Sequence, residues 1–283
     1  MSYLSPSSAY RFLKYKLAEV YEEREAATIL DYFFQDFFSM NHPSRIDSWP
    51  MADDAKKCEA LGDRLINREP YQYVLGKSNF YGYDFKVNQS VLIPRAETEE
   101  LVYLVLKDLQ DSRQQLDVLD IGSGSGCIAI TLKLKKPQLR LFAVEDSLDA
   151  LNVSRINARR LDASIQFLRL DFTDQEMWTS LCKMDIIVSN PPYITHDEKG
   201  QMSKSTLRYE PEEALFVEND PMIFYRRIAE FGESFLKDRG CIYVEINEFR
   251  AVDTIKIFQD YGYRLIELHH DLQQRPRMLK ILK

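Results

Sequence analysis

Asn190-Pro191-Pro192-Tyr193 is the segment of this chain best suited to chemistry. Two consecutive prolines remove two backbone donors and fix φ at both positions. An amide side chain and an aromatic ring are thereby held at defined angles. The preceding residues, Asp185-Ile186-Ile187-Val188-Ser189, read as a buried strand, so the tetrapeptide stands at a strand's carboxyl end. Nothing in it is a base. The side-chain oxygen of Asn190 and the backbone carbonyl of Pro191 can instead accept the two N–H bonds of a planar nitrogen, orient it and stabilise positive charge growing on it. Tyr193 can lay its ring on the plane of that group. A carboxamide nitrogen, whose lone pair is delocalised into its carbonyl, needs such help to act as a nucleophile.

A second motif leaves another strand. Asp120-Ile121-Gly122-Ser123-Gly124-Ser125-Gly126 follows Val118-Leu119 and opens a helix near Cys127. Glycines at 122, 124 and 126 let the backbone approach a ligand. A dinucleotide loop would carry its third glycine further on, so the short spacing fits a smaller ligand without a pyrophosphate. Glu145, at the end of the next strand, can accept hydrogen bonds from both hydroxyls of a ribose; Asp146 competes for that role. Asp171-Phe172 ends the third strand. Its carboxylate can accept from an exocyclic amine and its ring can lie against a purine, with helix capping and a plain hydrophobic wall as the alternatives. Loop, acidic strand end and Asp-aromatic pair together point to an adenosine-bearing ligand.

These groups need a frame. From Leu116 onward strands and helices alternate, with candidate strands at Leu116–Ile121, Arg140–Glu145, Ile165–Leu170, Asp185–Ser189, Cys241–Ile246, Tyr263–His269 and Met278–Leu282. The pattern predicts an α/β fold with a doubly wound, mostly parallel seven-stranded sheet. The last connection, around Arg275-Pro276, is too short for a helix, so the final strand should be antiparallel. Ligands bind outside the carboxyl ends of such strands, which puts both motifs on one crevice. Ahead of the sheet, residues 1–70 read as a small helical domain: Ser5-Pro6 starts one helix, Glu22 to Phe38 forms a second with a wide aromatic face, and Met51 to Asn67 a third. Residues 71–95 read as a β-hairpin linker, with Tyr71–Leu75 and Asp84–Val87 as its strands. The sheet domain takes 96–283.

Composition narrows the classes. At 45% hydrophobic and 29% charged residues the chain has the make-up of a globular protein. No apolar run approaches the ~20 residues that span a bilayer, and Arg11, Lys14 and Lys16 precede no apolar signal region. Neither a membrane association nor a secretory signal is expected. Four scattered cysteines suggest neither a disulfide framework nor a metal site, and fit a reducing cytoplasm. A net charge of −7 weighs against a broad nucleic-acid surface.

The tetrapeptide resembles the motif of class I S-adenosylmethionine-dependent methyltransferases acting on planar nitrogen, whose Rossmann-like sheet also ends in an antiparallel strand. Further segments narrow the resemblance: Arg68-Glu69-Pro70-Tyr71-Gln72-Tyr73, Phe80-Tyr81-Gly82, Val91-Leu92-Ile93-Pro94-Arg95-Ala96-Glu97-Thr98-Glu99, Glu210-Pro211, Tyr225-Arg226-Arg227-Ile228 and Asp271-Leu272 with Arg275-Pro276-Arg277. Together they are similar to the release-factor glutamine N5-methyltransferases, over nearly the whole chain beyond residue 68. The resemblance implies methyl transfer to the glutamine of the Gly-Gly-Gln loop of class-1 peptide chain release factors, in translation termination. It implies that Asp120, Gly122, Ser123, Gly124, Ser125, Gly126, Glu145, Asp171, Phe172 and Asn190 hold S-adenosylmethionine, which leaves as S-adenosylhomocysteine. Asn190, Pro191, Pro192 and Tyr193 would hold the glutamine. The helical domain would recognise the protein substrate, and the enzyme would be a cytoplasmic monomer with no direct nucleic-acid partner. Ala96 stands where the family usually has proline, Glu145 where aspartate is common, and Asn247 and Gln274 where glycine is common.

Two other activities share the clamp. One is glutamine methylation of a ribosomal protein. The other is adenine N6 methylation of DNA or RNA, which requires the base to leave its stack. A cofactor-binding scaffold without turnover would have no need of an intact clamp.

Overall fold

The computed structural model describes residues 4–195, 199–200, 202–217 and 220–283. The chain forms two compact units, Met1–Lys77 with Ser203–Tyr209, and Ser78–Met202 with Glu210–Lys283.

The first unit is helical. Helices α1 (Pro6–Ala18), α2 (Glu23–Phe38), α3 (Asp54–Ile66) and α4 (Tyr71–Leu75) surround a core of Leu13, Leu17, Leu30, Phe33, Phe34 and Leu65, all fully buried. Ser5 caps α1, accepting from the Ser8 amide while Ser8 Oγ accepts from the Ser5 amide, and Pro6 takes the first turn, where its missing N–H costs nothing. The Tyr71–Leu75 strand expected from alternation is instead a helical turn. Pro70 leads into it and Gly76, at φ 67°, closes it, the usual proline-before, glycine-after asymmetry of helices. The hairpin partner lies just beyond: β1 (Lys77–Phe80) pairs with β2 (Tyr83–Lys86) around a two-residue turn. Both turn residues, Tyr81 and Gly82, have positive φ, as a type I′ hairpin requires. One later segment also belongs to the helical unit. In α8 (Lys204–Tyr209) the Tyr209 hydroxyl donates to the Asn67 carbonyl and Ser205 Oγ to that of Arg68.

The second unit carries the sheet. After α5 (Ala96–Asp108) come β3 (Asp117–Ile121), α6 (Cys127–Lys135), β4 (Arg140–Glu145), α7 (Leu148–Arg160), β5 (Ile165–Arg169) and β6 (Met184–Ser189). They are followed by α9 (Ile223–Phe235), β7 (Leu236–Glu245), α10 (Ala251–Asp260), β8 (Leu265–His270) and β9 (Pro276–Leu282). The strand order is β5-β4-β3-β6-β7-β9-β8, parallel except for β9, which is antiparallel to both its neighbours. The expected doubly wound sheet with its antiparallel last strand is borne out. Central strands read as continuous apolar runs because both faces are covered. Val118, Ile186 and Val188 pack towards α5 and α6, while Leu119, Ile187 and Val244 pack towards α9 and α10. Each such buried aliphatic chain contributes on the order of 1.5–3 kcal/mol. The strand order reverses at β3, between β4 and β6, so the loops after β3 and β6 open onto the same crevice.

Candidate active site

The crevice is a cavity of about 720 Å³ in the second unit, bounded by the loops after β3, β4, β5 and β6 and by segments 90–98 and 212–217. Gly122, Ser123, Gly124, Ser125, Glu145, Asp146, Asp171, Phe172, Asn190 and Pro192 all line it. Asp120, Gly126, Pro191 and Tyr193 do not line it.

The glycine loop is held from below. Gly122, Gly124 and Gly126 have φ of 72°, 52° and 81°, conformations that side chains with a Cβ adopt at a cost. The Gly122 and Ser123 amides both donate to the Val144 carbonyl, and Gly126 donates to the Ser123 carbonyl. A Cβ on Gly126 would lie 2.9 Å from Ile130 Cδ1 and 3.1 Å from Ser154 Cβ. Asp120 accepts from the Ala129 amide at 3.1 Å, satisfying a donor in the first turn of α6. Its other oxygen is buried without a partner among the described residues, as is Ser123 Oγ. Burial pushes the Asp120 carboxyl up to about 7, with Glu145 adding to the rise. On α7, the buried Asn157 donates to the carbonyls of Lys86 and Ser125 and accepts from the Lys86 amide, tying the loop to β2.

Glu145 points at the loop. Oε2 accepts from the Gly124 amide at 2.9 Å and Oε1 from the Ser147 amide at 3.1 Å. Each carboxylate oxygen retains a lone pair for a further donor. Burial raises the Glu145 pKa. Asp146, next to it, is exposed. Asp171 accepts from the Thr173 amide and hydroxyl. The Phe172 ring packs against Trp178 and Phe231, and Trp178 Nε1 donates to the Phe172 carbonyl.

The clamp rests on a buried polar network drawn from four elements. Asn190 Nδ2 donates to Thr98 Oγ1, in the first turn of α5, at 2.9 Å. Thr98 Oγ1 donates to Glu245 Oε2, at the end of β7, at 2.7 Å. The Tyr193 hydroxyl donates to Glu245 Oε1 at 3.2 Å, so its ring is turned to the interior. Arg277 on β9 lies beside Glu245 and Tyr193 and pairs with Asp271 at 3.2 Å. Burial pushes the Glu245 carboxyl up to about 7 against the opposing pull of Thr98, Arg277 and Tyr193. A second buried carboxylate, Glu210, accepts from the Ile93 amide and from Arg95, bracing the segment before α5.

Sequence reasoning did not find Thr98, Asn157, Glu210, Glu245 or Arg277 as parts of the site. Thr98, Glu210 and Arg277 lie inside family-like segments, but only the fold brings Thr98 within reach of Glu245.

The fold recurs in known structures. A methyltransferase from Pyrococcus furiosus matches with a TM-score of 0.52 at 15% identity, over 81% of this chain and 98% of that one. Residues 98–216, from the clamp's threonine through the second wall of the cavity, match the Methyltransferase small domain model. Fold and site together define a Rossmann-like methyltransferase. The release factor glutamine methyltransferase of Flavobacterium psychrophilum is 36% identical over 275 residues, covering 94% of each chain. That of Bacteroides thetaiotaomicron is 44% identical over 227 residues, 79% of this chain and 80% of that one. The chain belongs to the release factor glutamine methyltransferase family. No described helix is long and apolar enough to cross a membrane.

Proposed function

We propose that this protein transfers a methyl group from S-adenosylmethionine to the side-chain nitrogen of the glutamine in the Gly-Gly-Gln loop of class-1 peptide chain release factors. The observation that carries the reading is that Asn190 lines the cavity while its NH2 donates to Thr98 Oγ1, an arrangement that leaves its oxygen available to a ligand. An acceptor there suits a substrate that presents N–H bonds. Family membership supports the choice of glutamine in a release factor.

The residues fit the cofactor. Buried oxygens on Asp120 and Ser123 lack partners among the described residues, beside a loop whose Gly122 and Gly124 line the cavity, and a buried acidic environment suits a cationic ligand. Gly122 to Gly126 would hold the methionine part, Glu145 the ribose, and Asp171 with Phe172 the adenine. When bound, S-adenosylmethionine supplies an electrophilic methyl on a sulfonium. The chain's own work is positional. Asn190 Oδ1 accepts one N–H of the target amide, which aims the nitrogen and stabilises the charge that grows on it. Pro191, which does not line the cavity, fixes the turn that presents Asn190. Pro192 closes the wall beside Asn190, and Tyr193 fixes the turn through Glu245. No side chain in the clamp is placed as a base, so the proton leaves to solvent after transfer.

The helical unit would contribute substrate recognition, as its separate core allows. The setting would be the cytoplasm, consistent with four free cysteines, and the working form a monomer. Asn190→Ala tests the clamp. Methyl transfer to release factor should fall by at least ~100-fold, as for loss of a charge-stabilising group, and cofactor affinity measured by calorimetry should fall far less, since Asn190 is one of many expected cofactor contacts. Equal activity in the variant would overturn the reading.

A further inference from the structure

We infer that Thr98 and Glu245 are positioning residues that set which end of the Asn190 carboxamide faces the substrate. The inference rests on the proposed reaction for its kinetic consequences, but its structural basis is the geometry of three hydrogen-bonding groups. A carboxamide is nearly symmetric in shape, and turning it over would present two donors where the reaction needs an acceptor. Something must therefore specify its orientation.

The specification runs from the interior outwards. An ionised carboxylate only accepts hydrogen bonds, whereas a threonine hydroxyl has one proton and two lone pairs. With Glu245 ionised, the single Thr98 proton is committed to Glu245 Oε2, 2.7 Å away. Thr98 Oγ1 then has only lone pairs for Asn190 and selects its Nδ2, 2.9 Å away. The Asn190 oxygen is left for the cavity. Thr98 is 3% and Glu245 2% exposed, so water does not compete for these bonds.

Glu245 is fixed in turn. Its other oxygen accepts from the Tyr193 hydroxyl. Its backbone carbonyl accepts from the Tyr225 hydroxyl at 3.0 Å. Arg277, itself paired with Asp271, supplies the compensating charge, and Glu97 opposes it. A proton on Glu245 reverses the logic. The protonated carboxyl donates to Thr98, the hydroxyl proton becomes free to donate to Asn190 Oδ1, and the carboxamide can turn its NH2 towards the substrate. Burial sets the Glu245 carboxyl near 7, so the relay weakens as pH falls through that value.

The test combines kinetics with a reading of the side chain itself. The Thr98→Val variant keeps shape and loses both hydrogen bonds. Its kcat should fall about 10- to 100-fold, the usual cost of losing an outer partner of a functional group. KM for release factor and cofactor affinity should stay within about twofold. Thr98→Ser should restore most of kcat, and adding Thr98→Val to Asn190→Ala should cost nothing more, since coupled groups are not additive. In 15N spectra of the protein without substrate, the Asn190 side-chain NH2 signal should titrate with a midpoint near pH 7. That titration should be absent from Glu245→Gln and from Thr98→Val. An Asn190 signal indifferent to pH between 5 and 9, or a Thr98→Val enzyme with wild-type kcat, would overturn the relay. Were the wild-type enzyme to transfer no methyl to release factor, the proposed reaction would fall, and the relay would still be decided by the spectra.

Discussion

Glu145 shows how one side chain serves two purposes. Its two oxygens hold the amides of Gly124 and Ser147, so it shapes the glycine loop while offering its remaining lone pairs to a ribose. Asp146, beside it and exposed, makes no such contact with the loop. Glu145→Ala should therefore weaken cofactor binding by at least ~10-fold, since a hydrogen bond to a charged group is worth about 1.5–3 kcal/mol. Asp146→Ala should leave it within about twofold. Calorimetry distinguishes the two, and an equal loss in both variants would assign the ribose contact wrongly. The acidic strand end was legible in the sequence from its place after an apolar run; the choice between adjacent carboxylates was not, because it depends on which one turns inwards. Asn190 was legible for a similar reason, its two prolines. Its partners Thr98 and Glu245 lie 147 residues apart, and nothing local marks them as a pair.

At the scale of elements, the sheet was the legible part. Asp185 to Ser189 and Leu116 to Ile121 are short apolar runs bounded by turn residues, and they became β6 and β3 within a residue or two. Tyr71–Leu75 misled because aromatic and β-branched residues favour strands. Pro70 and Gly76, the stronger local signals, bracket it as a helical turn. The joining of α8 to the helical unit was not legible, since it depends on contacts of Ser205 and Tyr209 across about 140 residues. Two loop positions carry predictions. Gly126→Ala combines positive φ with contacts under 3.2 Å and should destabilise the protein by ~1–3 kcal/mol in urea unfolding. Gln274, where the family commonly has glycine, stands at φ 64°. Gln274→Gly should leave stability equal or raise it by up to ~1 kcal/mol, the left-handed strain it relieves offsetting the entropy of a more flexible unfolded chain. A lower denaturation midpoint would contradict that.

Across the whole molecule, the cavity is surrounded by buried carboxyls whose charged forms are disfavoured. Asp120 and Glu245 both sit near 7 in the folded protein, above their ordinary values of 3.8 and 4.5. A raised folded value means that the stability each contributes is complete below its unfolded pKa and is lost as pH rises towards 7. Asp120→Asn removes one of these dependences. Its stability relative to the wild type should rise by up to a few kcal/mol between pH 4 and 7.5, read by urea unfolding at each pH; a constant difference would refute the assignment. Asp117 and Asp271, held below the usual carboxylate range by their hydrogen bonds and ion pairs against the pull of burial, act in the opposite sense. Their contributions fade as pH falls below about 4, which bounds the window from the acid side. The most direct measurement of the central claim incubates the purified protein with labelled S-adenosylmethionine and an unmodified class-1 release factor, followed by peptide mass mapping. One added methyl on the Gly-Gly-Gln glutamine, absent when that glutamine is alanine, is the result expected. Measurable cofactor binding with no methyl on that residue would contradict the account and turn attention to glutamine in ribosomal proteins or adenine in nucleic acid.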